Sequence, residues 1–325
     1  MTIERLPLTD VPREQWLERR REFINASETA IVVGEAQWGS LARLYAEKKG
    51  LRPPTIETSA MKRGRQLEGA VFDILTEERP EWEVNRAKAH VIDREKRQAC
   101  TPDGFARSPN RDGIGVVQAK VVARNIFRHK WLEDPEDSIQ FGEASPPPGY
   151  RIQTLHEMML NECSWGVLAV LINGEYACDL RLFDVERNAV MEDRINYRIQ
   201  DFFERYLDAN VMPPFEPIQD ELLVRELYPK DSGATVDLTG DNRAMALVED
   251  FTQFQAAKKR ADGEIKKIKT ELEAKLGEST YGRLADGRFI SWKTQHTRAH
   301  TVEAYDSRVF RIHKNQPKDA DDETA

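Results

Sequence analysis

A chain of 325 residues with 40% hydrophobic and 32% charged side chains has enough apolar content for a folded core, which argues against wholesale disorder. Its longest apolar run, Trp165 to Ile172, is too short to cross a bilayer. The opening MTIERLPLTD lacks a basic-then-apolar leader, and three cysteines (Cys100, Cys163, Cys178) without CxxC spacing argue against a disulfide framework or a four-cysteine metal site, so an intracellular location is expected. The formal net charge of -8 weighs only mildly against nucleic acid as a partner, because a narrow channel needs local positive charge alone.

In chain order, residues 13–25 read as a charged helix and 27–34 and 40–49 as two short ones, the second capped by Ser40 and stopped at Gly50. Residues 59–79 form a longer helix whose buried stripe is Leu67, Ala70, Val71, Ile74 and Leu75. Strands are expected at 88–93 and 97–101, joined by the polar turn Asp93–Lys96, and Pro102-Asp103-Gly104 is a turn signal. The β-branched run 114–123 reads as a strand, followed by a helix near 123–133, a Pro-, Gly- and acid-rich loop at 134–149 and a helix at 150–161. Strands 165–173 and 175–183 flank an Asn173-Gly174 hairpin signal, and a helix over 186–209 stops before Pro213. A main domain is thus expected over 1–212 and a connecting segment over 213–240. A C-terminal extension over 241–315 begins with a charged helix bent near Gly263, carries Ile265, Ile268, Leu272 and Leu276 as a pairing stripe, and ends in a small hairpin unit. Residues 316–325 read as a disordered acidic tail.

The chemistry concentrates around Asp103 and, fifteen residues later, Gln118 and Lys120. Strand side chains alternate faces, so Gln118 and Lys120 project from one side while Val117, Ala119 and Val121 enter a core. A polar pair on an otherwise apolar strand is costly unless it has partners or a task. A carboxylate, an amide oxygen and an ammonium suit phosphodiester hydrolysis, in which hard oxygen ligands hold Mg²⁺ and a lysine steadies developing negative charge. Glu68, on the helix 59–79, could add a second carboxylate from the opposite wall.

These motifs resemble the PD-(D/E)xK nuclease superfamily, and more closely the lambda exonuclease and YqaJ-type viral recombinase family. The resemblance spans residues 16–206 and is carried by Trp16, Arg20 and Ala26-Ser27-Glu28, by Gly64 and Glu68, by Ala99-Cys100-Thr101-Pro102-Asp103-Gly104, and by Tyr150 with Gln153. It implies an α/β fold with a central mixed sheet flanked by helices, strand 114–121 lying near the middle of that sheet. It further implies that Asp103 and position 118 ligate metal, that Glu68 serves a second ion or its water, that Lys120 acts on the attacking water and that Gln153 supports the scissile phosphate. Arg20, Ser27 and Thr101 would receive a 5′-phosphate, a role that a guanidinium and two hydroxyls suit. The implied activity is Mg²⁺-dependent degradation of the 5′-ended strand of linear duplex DNA, with two ions and Mn²⁺ as a substitute, leaving 3′ tails for recombination. The implied setting is the cytoplasm of a phage-bearing bacterium, with a ring-shaped homo-oligomer and a single-strand annealing protein as partners and no membrane. The family usually has Glu where this chain has Gln118, which removes one negative charge beside the metal. Two rival readings therefore stand beside the first: a structure-directed endonuclease, and a catalytically weakened DNA-end-binding protein.

Overall fold

The computed structural model describes residues 3–8, 11–52, 58–139, 142–174, 177–297, 304 and 308–313. Its first unit, Met1–Leu227, runs through β1 (Ile3–Pro7), α1 (Arg13–Arg21), β2 (Ile24–Asn25), a 3₁₀ turn (Ala26–Glu28), α2 (Thr29–Val33), α3 (Leu41–Lys48) and α4 (Ser59–Glu78). Then follow β3 (Glu83–Arg86), β4 (Ala89–Asp93), β5 (Gln98–Cys100), β6 (Gly104–Arg107), β7 (Gly115–Ala123), α5 (Arg124–Lys130) and α6 (Pro148–Asn161). The unit closes with β8 (Trp165–Asn173), β9 (Cys178–Glu186), α7 (Ala189–Phe202), prolonged by a π-type turn (Phe203–Asp208), and α8 (Glu221–Leu227). The second unit, Tyr228–Ala325, contains α9 (Asn242–Leu276), β10 (Tyr281–Arg283) and β11 (Phe289–Ser291).

The mixed α/β architecture expected from the sequence is present. The main sheet has the order β3-β6-β7-β8-β9, and β7 is its middle strand. β6 meets β7 antiparallel, β8 lies parallel to β7 from Gly115↔Trp165 to Ala123↔Asn173, and β9 returns antiparallel. A parallel neighbour demands a crossover, and α5 and α6 supply it. The alternation on β7 sets two faces. Val117 and Ala119 join Val167, Ala169 and Leu171 of β8 beneath Val71, Phe72 and Leu75 of α4. On the other face Val116 packs with Ile152, Leu155 and Met158 of α6. The apolar run Trp165–Ile172 is buried throughout because both faces of β8 are covered.

The structure departs from the sequence expectations at several short elements. A strand at Ile3–Pro7 pairs with β4, and Ile24–Asn25 is not a helical end but a two-residue strand parallel to β5, completing a second sheet of order β1-β4-β5-β2. Two further short strands, β3 and β6, extend the main sheet beyond β7. The first unit runs to Leu227 rather than 212, since Leu223 is buried with Ala42 and Ala46. α9 passes through Gly263 without a break over 35 residues, and Ile265, Ile268 and Leu272 on it are exposed. The expected C-terminal hairpin appears as β10 paired with β11. The part of the Asn173-Gly174 hairpin turn at 175–176 and the acidic tail at 316–325 lie outside the described residues. Among the described residues no helix is long and apolar enough to cross a membrane.

Two buried polar clusters anchor the N-terminal segment. Lys48, its side chain 3% exposed, donates to Glu28 Oε2 at 2.6 Å and to the carbonyl oxygens of Arg20 and Phe23 at 2.8 and 2.6 Å. Glu28 closes a capping box by accepting from the Asn25 backbone N–H at 2.9 Å. Burial pushes the Glu28 carboxyl up, but Lys48, Arg20 and the Asn25 N–H outweigh it and hold it below the ordinary range. Breaking a buried pair leaves one charge stranded. Lys48→Met is therefore expected to lower the urea unfolding free energy by about 3–5 kcal/mol; a loss well under that range would mean that Lys48 is not an anchor.

His156, on α6, is fully buried between the Thr29 hydroxyl at Nδ1 and Gln98 Oε1, 3.1 Å from Nε2. Burial holds its pKa down at about 3, so the ring is neutral in the fold. The unfolded chain takes up this proton below about pH 6.5. The contribution of His156 is then complete above pH 6.5 and is lost as pH falls from there toward 3. The stability difference between wild type and His156→Gln, measured by denaturant titration, is expected to shrink by about 1.4 kcal/mol per pH unit between pH 6.5 and 5. A difference independent of pH across that interval would contradict a neutral buried ring.

Candidate active site

Asp103 lies between β5 and β6, where the antiparallel register Gly104↔Val117 brings it beside the middle of β7. Gly104 makes the approach possible. A Cβ there would stand 2.4 Å from the Phe72 ring and 2.8 Å from the Asn85 carbonyl oxygen, so any larger residue would push β6 away from α4. Asp103 Oδ2 accepts from the Ala119 backbone N–H at 2.8 Å and from Gln118 Nε2. The Gln118 carbonyl accepts from Gln153 Nε2 at 3.0 Å, and the Gln153 carbonyl accepts from Lys120 Nζ at 3.2 Å. The Lys120 ammonium also lies 5.2 Å from the centre of the Tyr150 ring. Asp103, Gln118, Lys120 and Gln153 thus form one connected network between β7 and α6.

Glu68 stands apart from this chain of bonds. It belongs to α4, on the opposite face of the sheet from Gln118 and Lys120, and pairs with Arg86 at 3.1 Å. It acts on the network through its charge, which pushes Asp103 upward.

A second acid belongs to the network that the sequence reading overlooked. Glu157, one helical turn after Gln153, is 1% exposed and accepts from Gln153 Nε2 at 3.0 Å, while its Oε2 is buried without a partner. The available signal was a Gln–Glu pair at i, i+4 on a helix whose other buried positions are mostly apolar. Burial raises Asp103, with Lys120 pulling down and Glu68 pushing up. Burial also raises Glu157, and the Asp103 charge raises it further. A divalent cation bound by these groups must displace any proton they hold, so binding would release protons and strengthen as pH rises. The donor set is hard oxygen from two carboxylates and amides, which fits Mg²⁺ or Mn²⁺ and not a thiophilic metal. Among the described residues no three Asp, Glu, His or Cys side chains gather into one metal-sized cluster. An ion here would draw on one or two carboxylates and on neutral oxygens, as Mg²⁺ commonly does.

The residues expected to hold a phosphate adjoin the network. The Arg20 guanidinium donates to Ser27 Oγ at 2.9 Å, pairs with Glu28 at 3.6 Å and stacks 4.7 Å from the Trp16 ring centre. The parallel register Asn25↔Ala99 leaves Ser27, in the 3₁₀ turn, and Thr101, past the end of β5, each two residues beyond a paired position. Thr101 Oγ1 is buried without a hydrogen-bond partner, and so are both ring nitrogens of His90, whose pKa is held down at about 4 by burial and by the Arg20 and Arg19 charges. Ser27 and Gln153 line the same cleft, about 120 Å³ in volume, together with Tyr150 and Trp38, whose side chain is 72% exposed. One concavity therefore reaches Ser27 of the phosphate candidates and Gln153 of the network.

Residues 15–164 match the family model of the YqaJ-like viral recombinase domain. Over 269 residues the chain is 23% identical to the uncharacterized protein YqaJ of Bacillus subtilis (strain 168), covering 79% of this chain and 78% of that one. Similar solved structures include the alkaline exonuclease LHK-Exo of Laribacter hongkongensis, 19% identical, with a TM-score of 0.46 over 65% of this chain and 98% of that one. Another is a phage-related exonuclease of Haemophilus somnus 129PT, 12% identical, with a TM-score of 0.43 over 58% and 96% of the two chains. Every residue from Arg20 to Glu157 described above falls inside the segment, residues 15–164, that is similar to the YqaJ-like viral recombinase domain.

Proposed function

We propose that this protein is a divalent-metal-dependent exodeoxyribonuclease that degrades the 5′-ended strand of linear duplex DNA and leaves 3′ single-stranded tails for phage-type recombination. The observation that carries the reading is the connected set Asp103, Gln118, Gln153 and Lys120, inside the segment similar to the recombinase family and with Gln153 sharing a cleft with Ser27. Asp103 would hold Mg²⁺ or Mn²⁺, with the Gln118 amide oxygen as a neutral donor and Glu68 serving a second ion from across the sheet. When bound, the cation polarises the scissile phosphate and lowers the pKa of a water molecule. Lys120, held by Gln153, offers its ammonium to that water and to the negative charge that builds on the phosphate. Gln153 keeps the ammonium and the Gln118 amide in register. Arg20, Ser27 and Thr101 would grip the terminal 5′-phosphate, and the unpartnered Thr101 hydroxyl supports that role. A homo-oligomeric ring around the duplex, a single-strand annealing protein as partner and a cytoplasmic setting complete the proposal.

The direct test is digestion of linear duplex carrying a label at either end, with and without a 5′-phosphate, in Mg²⁺. Mononucleotides are expected from the 5′-ended strand only, faster from phosphorylated ends, with circular duplex left intact. Cutting of circular duplex would make the protein an endonuclease, and end binding without nucleotide release in Mg²⁺ or Mn²⁺ would make it an end-binding protein. Lys120→Ala is expected to lower the rate at least about 10²-fold while leaving end binding in place. Arg20→Ala should reduce the preference for phosphorylated ends by roughly tenfold or more without abolishing hydrolysis of unphosphorylated ends.

A further inference from the structure

The amide of Gln118 is engaged at both ends, its nitrogen on Asp103 and its oxygen on Gln153. Glu68 is paired with Arg86 and is partly exposed. Glu157 is the buried carboxylate that stays incompletely used: one oxygen accepts from Gln153 and the other is enclosed without a donor. Burying a carboxylate oxygen with nothing to bind it is costly, and a cation within reach would offset that cost. α6 is held rigidly beside β7 by Ile152, Leu155 and Met158, so Glu157 cannot turn away to solvent to relieve that cost.

We propose that Glu157 is the second carboxylate ligand of the divalent cation, opposite Asp103, and that it supplies the negative charge that Gln118 lacks. The inference rests on the nuclease reading above and refines its ligand set. In it the strand position 118 contributes an orienting amide, and the second anionic ligand comes from α6. Gln153, bonded to Gln118 and Glu157 through one nitrogen, sets the spacing between the two.

The test is Mn²⁺ binding by calorimetry on the intact protein without DNA, alongside the Mn²⁺-induced rise in melting temperature. Wild type is expected to bind, Asp103→Asn to lose binding, and Glu157→Gln to weaken it by about tenfold or more while melting, without metal, at or above the wild-type temperature. Adding Gln118→Glu to Glu157→Gln should restore most of the affinity, a recovery that a merely structural Glu157 would not show. If Glu157→Gln melts lower without metal, Glu157→Asp takes its place; weakened Mn²⁺ binding supports the proposal and unchanged binding overturns it. Wild-type affinity in Glu157→Gln, with binding lost in Asp103→Asn, would overturn the role of Glu157 and leave the nuclease reading standing. Absence of Mn²⁺ binding by wild type would overturn both.

Discussion

Two carboxylates confined to a poorly hydrated wedge between a sheet and a helix are the constraint to which the rest of this domain answers. Burial raises the cost of ionising both; the Asp103 charge adds to that of Glu157, and the Glu68 charge to that of Asp103. The compensation is assembled from different parts of the chain: the Ala119 N–H of β7, the amides of Gln118 and Gln153, and the Lys120 ammonium. None of these would suffice alone, because a partly satisfied buried network is worse than an apolar one. The close approach of β6 to α4 at Gly104 and the apolar packing of α6 on β7 hold the parts in register.

The N-terminal segment solves a related problem by another route. Arg20 lies in the last turn of α1 and Ser27 in the short 3₁₀ turn that follows, the two joined by a two-residue strand. A buried lysine secures it: Lys48 ties the carbonyls of Arg20 and Phe23 to Glu28, and the capping box at Asn25 continues the same scaffold. His156 then joins this scaffold to α6 through Thr29, and to β5 through Gln98. Ser27, which lines the cleft, is therefore mounted among polar groups that do not.

Much of this was legible in the sequence where a periodic pattern coincided with a chemical one. The alternation in Gly115–Ala123 put Gln118 and Lys120 on one face, and the Val71, Leu75 stripe identified the helix covering the other. The Pro102-Asp103-Gly104 turn disclosed Asp103 but concealed β6, because strands of four residues are too short to show a period and the turn signal masked its start. β2 was hidden by the helical composition around it; its two residues are strand only by virtue of pairing with β5, a contact between segments more than seventy positions apart. Gly263 suggested a break that α9 does not have, since one glycine costs only about 1 kcal/mol in a helix. Glu157 was invisible for a different reason. A glutamate is ordinarily solvated, and only the packing of α6 against β7 reveals that this one is not.

Gln153 has a consequence for the direction of the network. An amide donates at one end and accepts at the other, and here Lys120 occupies the accepting end. The nitrogen must then face Gln118 and Glu157, which in turn orients the Gln118 nitrogen toward Asp103. Every dipole in the relay points the same way, from ammonium to carboxylate. Turning over either amide would set like ends against each other, so the cleft floor has a built-in head and tail, written in hydrogen-bond polarity across two uncharged side chains.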